Sequence, residues 1–241
     1  MSDARPDHDP TEPAPAREPA FNAPTIVLLW IVGLAAIHAA TEWAGDPGNW
    51  GWWYSWAAFV PGFITLPANT IEIGMTPWWS FVSHGFLHGD WLHLAVNGLW
   101  LLAMGTPVAR RFGAVRFSLF LILGFVAGAS MHLAFYWGAL VPMVGASGGV
   151  SALFGAAARF ALSGGGLRSE EVHLRPRLSI VATLSDRGVA SFILIWLAVN
   201  FLFGAGVIPV PGAEGGIAWQ AHVGGFAFGL LGFALFDPQE R

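Results

Sequence analysis

The sequence predicts an all-α membrane protein, a bundle of six transmembrane helices with both termini in the cytoplasm. Three observations carry this. Hydrophobic residues make up 55% of the 241 positions and charged residues only 11%, against about 25% charged in an ordinary soluble domain. The mean hydropathy is +0.58. The charges are also unevenly spread: the 42 residues between Arg116 and Arg159 contain no Asp, Glu, Lys or Arg. A single helix of that length would be roughly twice as long as a bilayer core is thick. The chain has no cysteine, which excludes disulfides, thiolate nucleophiles and Cys-ligated metals.

Each span follows from the same logic. The charge-free stretch breaks at Trp137-Gly138-Ala139-Leu140-Val141-Pro142, where Gly and Pro end a helix. From Arg187 to Asp237 only Glu214 interrupts, and Val207-Ile208-Pro209-Val210-Pro211-Gly212 marks the turn. Two earlier apolar runs complete six predicted spans: 25–43, 91–109, 116–137, 145–163, 188–207 and 217–236. With the N-terminus inside, all eleven basic residues, every one an arginine, fall on the inner side. The outer loops then carry Glu42, Asp46, Glu72, Asp90 and Glu214. This agrees with the positive-inside rule without exception.

Residues 1–24, rich in proline and charge, read as a disordered cytoplasmic tail, and 25–241 as one membrane domain. No cleavable signal peptide is expected, because the first apolar run starts late and serves as an uncleaved anchor. The long first outer loop holds Trp43, Trp50, Trp52, Trp53, Trp56, Trp78, Trp79 and Trp91. Tryptophan favours the headgroup boundary, so this loop is read as lying at the outer interface.

Polar groups inside a bilayer are costly and need a reason. Gly145-Ala146-Ser147-Gly148-Gly149 opens the fourth span. Its small residues suit close helix packing. Alternatively Ser147 is a nucleophile at a helix N-terminus, where free backbone N–H groups can receive an oxyanion. His222 in the sixth span needs a polar partner, and neither the fourth nor the sixth span offers a carboxylate. As a base it would work in a dyad. His93 and Asn97, four apart, share a face of the second span and serve either as hydrogen-bonding glue or as donors to a reacting group. Asp90 precedes His93 as a plausible N-cap. The second, fourth and sixth spans run in the same direction, so these three sets lie at a common depth in the outer half of the membrane. A nucleophile, a base and donors at one level form a candidate active site. A transporter or proton channel relaying through His93, Asn97 and His222 is the rival. It lacks a membrane carboxylate and repeated halves. His84, His88 and His93 suit a metal only if the second helix begins early, which Gly85, Gly89 and Asp90 oppose.

In these residues the sequence resembles the rhomboid family of intramembrane serine proteases. The resemblance is carried by His84-Gly-Phe-Leu-His88-Gly-Asp-Trp-Leu-His93-Leu-Ala-Val-Asn97, by Gly145-Ala-Ser147-Gly, and by Ala221-His222-Val-Gly-Gly225-Phe-Ala-Phe-Gly229. It covers residues 25–236. It implies a rhomboid-like bundle with a water-filled cavity open to the outer side. It also implies a Ser147–His222 catalytic dyad acting through an acyl-enzyme, with His93, Asn97 and the Ser147 N–H stabilising the oxyanion. Implied substrates are single-span or other transmembrane proteins in the lipid bilayer, entering near the fifth helix and the first outer loop. The Val207–Gly216 loop would cap the site. A non-catalytic rhomboid-like client-binding protein is the alternative within the family; such proteins typically lack the Ser or the His. Three departures stand out. Ser151 occupies the position where some members stack an aromatic on the catalytic His, so either another group orients His222 or its orientation is looser. Ile217 replaces a family-type glycine, and the first outer loop lacks arginine. His88 and Ser151 are kept as cavity-lining or orienting residues. No cofactor, metal or nucleic-acid partner is expected, and the protein is expected to function as a monomer. All-arginine basic usage fits a GC-rich bacterial genome, hence a multi-pass protein of a bacterial inner membrane.

Overall fold

The computed structural model describes residues 23–44, 52–67, 77–163, 170–209 and 216–238. The predicted tail lies almost wholly outside them, as do residues 210–215 of the predicted cap loop. The described residues are nearly all helical, with one isolated β-bridge between Phe59 and Met143.

Six principal helices follow in order: α1 (Thr25–Ala44), α2 (Trp91–Phe112), α3 (Ala114–Phe135), α4 (Ser147–Ala158), α5 (Arg187–Gly204) and α6 (Trp219–Phe236). Among the described residues, five of them are long and apolar enough to cross a membrane, α4 being the exception. The chain is a multi-pass membrane protein. Leu29, Val32, Leu99, Leu194 and Leu235 are each at least 60% exposed, an apolar surface suited to lipid.

The fourth apolar run, predicted over 145–163, forms a helix of only 12 residues, about 18 Å at 1.5 Å per residue. The difference has a physical cause. Every residue from Gly148 to Ala158 is buried, so α4 is sheathed by protein rather than lipid. Its ends can then be satisfied by neighbouring chain, which a lipid-facing helix of that length could not manage. Arg159, just past its end, donates from Nε to Leu178 O (3.0 Å) and from Nη1 to Leu230 O (2.5 Å).

Glycine lets α4 sit this deeply. A Cβ on Gly124 of α3 would lie 2.7 Å from the Cα of Gly149. On the other side, a Cβ on Gly225 of α6 would collide with the Gly148 carbonyl. The backbones of α3, α4 and α6 therefore touch, which small residues permit.

Local signals start the other helices. Asp90 caps α2 by accepting from the His93 N–H at 2.8 Å, and Asp186 caps α5 by accepting from the Val189 N–H at 3.0 Å. Gly113, at φ +75°, closes α2 and opens α3 in a one-residue corner.

The far end of the bundle is clamped by charge. Arg111, at the end of α2, makes a two-pronged pair with Asp237 after α6, at 2.9 and 2.7 Å. Its Nη1 also donates to His173 O (3.2 Å) and Arg175 O (2.6 Å). Its guanidinium lies 4.7 Å from the centre of the Phe160 ring. Both partners are almost fully buried. The positive-inside reading treated Arg111 as a topological marker only; the fold makes it a structural residue too.

Candidate active site

Three helix starts converge at the opposite end. Ser147 is the first residue of α4, His93 the third of α2 and His222 the fourth of α6. The tight contact of Gly225 with Gly148 fixes α6 against α4. The first turn of α6 is thereby held beside the first residue of α4. The result is a hydrogen bond between Ser147 Oγ and His222 Nε2 at 2.7 Å.

The approach to Ser147 depends on Gly145. Its φ of +121° is a conformation that L side chains rarely adopt. Its N–H donates to His84 O at 3.0 Å, and two residues earlier Met143 exchanges backbone bonds with Phe59 at 2.8 and 3.0 Å. The chain thus enters α4 pinned to the first outer loop. Ala146, the N-cap, offers no side-chain acceptor. The N–H groups of the first turn of α4 are left without a side-chain cap, beside the Ser147 hydroxyl.

His93 and Asn97 flank this entry. A Cβ placed on Gly145 would lie 2.7 Å from His93 Cε1 and Nε2 and 3.8 Å from Asn97 Nδ2. One hydrogen of the Asn97 amide goes to His93 O at 3.2 Å; the amide carries a second. His93 and Asn97 therefore border the same short segment that delivers Ser147.

His88 precedes α2 and is 5% exposed. Its ring is 5.1 Å from that of His93, edge to face. Burial pushes its pKa down to about 3, with His93 and His38 acting in the same direction. It is a neutral wall behind His93. Nearby His84 donates from Nδ1 to Ser80 O at 2.8 Å, and burial takes it down to about 4. Ser151 is buried one turn along α4 from Ser147. Among the described residues, no three His, Cys, Asp or Glu side chains are arranged to hold a metal ion.

Sequence reasoning missed Asn200. Its Oδ1 lies 2.5 Å from His222 Nδ1, on the ring edge opposite Ser147. A signal was present: Asn200 is the one carboxamide in the apolar run of α5. A polar group at such a place asks for a partner. Its distance of 22 residues from His222 hid the pairing.

The comparisons with known proteins converge on one family. The model of the Rhomboid domain matches residues 76–238, which take in α2 to α6 and every residue of the candidate site. Rhomboid-like protein 4 of Arabidopsis thaliana is 36% identical over 159 residues, covering 65% of this chain and 34% of that protein. Rhomboid protease GlpG of Serratia proteamaculans is 30% identical over 191 residues, covering 79% of this chain and 55% of that protein. Rhomboid protease GluP of Bacillus subtilis is 27% identical over 162 residues, covering 67% of this chain and 27% of that protein. The chain thus spans between about a quarter and just over half of the length of these relatives.

Proposed function

The chain belongs to the rhomboid family, and from that premise we propose that it is an intramembrane serine endopeptidase cutting transmembrane proteins. One observation carries the reading: the 2.7 Å bond between Ser147 Oγ and His222 Nε2, formed at a helix N-terminus that no side chain caps. A hydroxyl within hydrogen-bond reach of an imidazole is the nucleophile–base arrangement of acyl transfer.

In the proposed mechanism His222 Nε2 takes the Ser147 proton as Oγ attacks the scissile carbonyl carbon. The carbonyl oxygen becomes an oxyanion. It is received by the Ser147 N–H with donors from His93 and Asn97. Losing one such donor typically costs about 10²–10³ in rate. The tetrahedral species collapses, the C–N bond breaks, and His222 gives its proton to the leaving nitrogen. Water, deprotonated by the same imidazole, then attacks the Ser147 ester; the C–Oγ bond breaks, His222 returns the proton to Ser147 Oγ, and the second product leaves as its carboxylic acid. No metal or cofactor enters.

Substrates would approach from the lipid beside α5. Leu194 and Ile195 on this helix are 66% and 65% exposed, and Val189, Ile193 and Asn200 are its only buried residues among those described. The site would open to the outer side of a bacterial inner membrane, with the arginine-bearing end in the cytoplasm. The chain would act as a monomer.

The test is cleavage of a single-span membrane substrate in liposomes by wild type, Ser147→Ala and His222→Ala. Wild-type cleavage with loss in both variants is expected, as is labelling of Ser147 by a fluorophosphonate. Undiminished cleavage by either variant would remove the assignment. A wild type that neither cleaves nor labels would point to a client-binding member of the family.

A further inference from the structure

A general base must present a lone pair to its nucleophile. Neutral imidazole carries one proton, on either nitrogen, so His222 is competent only with that proton on Nδ1. In this chain the choice follows from α5.

Asn200 is 8% exposed and both ends of its carboxamide are engaged. Nδ2 lies 2.7 Å from Trp196 O. A backbone carbonyl can only accept, so the group facing it must be the NH2. That settles which way the amide points. Oδ1 then faces His222 Nδ1 at 2.5 Å. This oxygen has lone pairs and no hydrogen, so Nδ1 must supply the proton. Nε2 is left bare, aimed at Ser147 Oγ. The chain of donors runs in one direction: Ser147 O–H to Nε2, Nδ1–H to Oδ1, and Nδ2–H to Trp196 O.

The backbone holds Asn200 where this requires. One turn before it, Trp196 stacks on Phe226 of α6, with ring centres 4.8 Å apart and an angle of 27°. Just after it, Phe201 meets Trp219 of α6 edge to face at 5.8 Å. His222 lies between Trp219 and Phe226 on α6, as Asn200 lies between the facing rings on α5. The two aromatic contacts bracket the hydrogen bond and set the spacing of the helices.

We propose that Asn200 is a positioning residue that holds His222 in its Nδ1–H tautomer and fixes its ring plane. It thereby gives His222 an orienting contact from α5. When His222 takes up the Ser147 proton, the Oδ1 dipole also faces the resulting cation. The proposal rests on the protease reading for its catalytic meaning, but the tautomer itself can be measured without any substrate.

The experiment uses the full chain in detergent micelles, with ¹⁵N-labelled histidine and the His222 signals assigned by their loss in His222→Ala. Wild type is expected to show Nδ1 protonated and Nε2 bare. Asn200→Leu, similar in size but without an acceptor, is expected to show a mixture of the two tautomers. In the cleavage assay its kcat should fall by about 10–100-fold, the scale known for partners that orient a metal-ligating histidine, with KM little changed. Asn200→Asp keeps an acceptor at Oδ1 and should recover much of that loss. A proton on Nε2 in wild type overturns the inference, and this measurement decides the matter even if the leucine variant fails to fold. A folded leucine variant whose His222 keeps the pure Nδ1–H tautomer also overturns it. Absence of cleavage by wild type would instead count against the protease reading and leave the tautomer result standing.

Discussion

Gly145→Ala is the substitution that joins backbone strain to chemistry most directly. The residue sits at φ +121°, and an added Cβ would fall 2.7 Å from the His93 ring. Ordinary contact begins at 3.4 Å, so the separation must grow by about 0.7 Å (3.4 − 2.7). The backbone cannot easily supply that movement. Gly145 N–H is tied to His84 O at 3.0 Å, and Met143 is bridged to Phe59. The displacement therefore falls largely on His93. The unfavourable backbone conformation costs about 1–3 kcal/mol and the overpacking a further ~1–3 kcal/mol. The bundle should lose about 2–6 kcal/mol in all, visible as a lower melting temperature in detergent. A donor misplaced by nearly 1 Å can cost about 10²-fold in rate. The expected kcat in the liposome assay is lower by about that factor. The decisive arm is a double-mutant cycle with His93→Ala. Once the ring is gone, Gly145→Ala should add little further loss of kcat. A kcat within about twofold of wild type, or full additivity with His93→Ala, would refute the reasoning.

Two further predictions concern the frame around the site. Replacing Arg111 by Met leaves Asp237 buried and without the two-pronged partner it has at 2.9 and 2.7 Å. The expected loss is about 3–5 kcal/mol, read by chemical denaturation in detergent. A pair of changes, Arg111→Met with Asp237→Leu, should recover much of it, and a single variant as stable as wild type would show that the clamp carries no load. His84 and His88 are buried with pKa values lowered to about 4 and about 3. An opened first outer loop would return both to the ordinary value near 6.5 and bind protons that the folded state refuses. Stability is then complete above about pH 6.5 and falls as pH drops towards 4, by up to ~1.4 kcal/mol per pH unit for each histidine. Melting curves between pH 7.5 and about 4.5 should show the decline, and His88→Phe should make it shallower. A profile identical to wild type in that variant would assign the acid sensitivity elsewhere.

Much of this molecule is written in local features. Apolar runs, Gly and Pro breaks and the Asp90 cap each act over a few residues, so they can be read along the chain. The motifs around His93, Ser147 and His222 are equally local, and a common helix direction brings them to one level. What could not be read depends on which helices touch. The 12-residue α4 is short because neighbouring helices rather than lipid enclose it, and apolar composition alone does not distinguish those surroundings. The Arg111–Asp237 clamp joins residues 126 apart. The Ser147–His222 bond joins residues 75 apart, and the His222–Asn200 bond residues 22 apart. Composition and motif order point to a serine and a histidine at one level of the bundle. Which carboxamide lies against that histidine is decided by the docking of α5 on α6. A hydrogen bond is sensitive to tenths of an ångström, and helix packing sets distances on that scale.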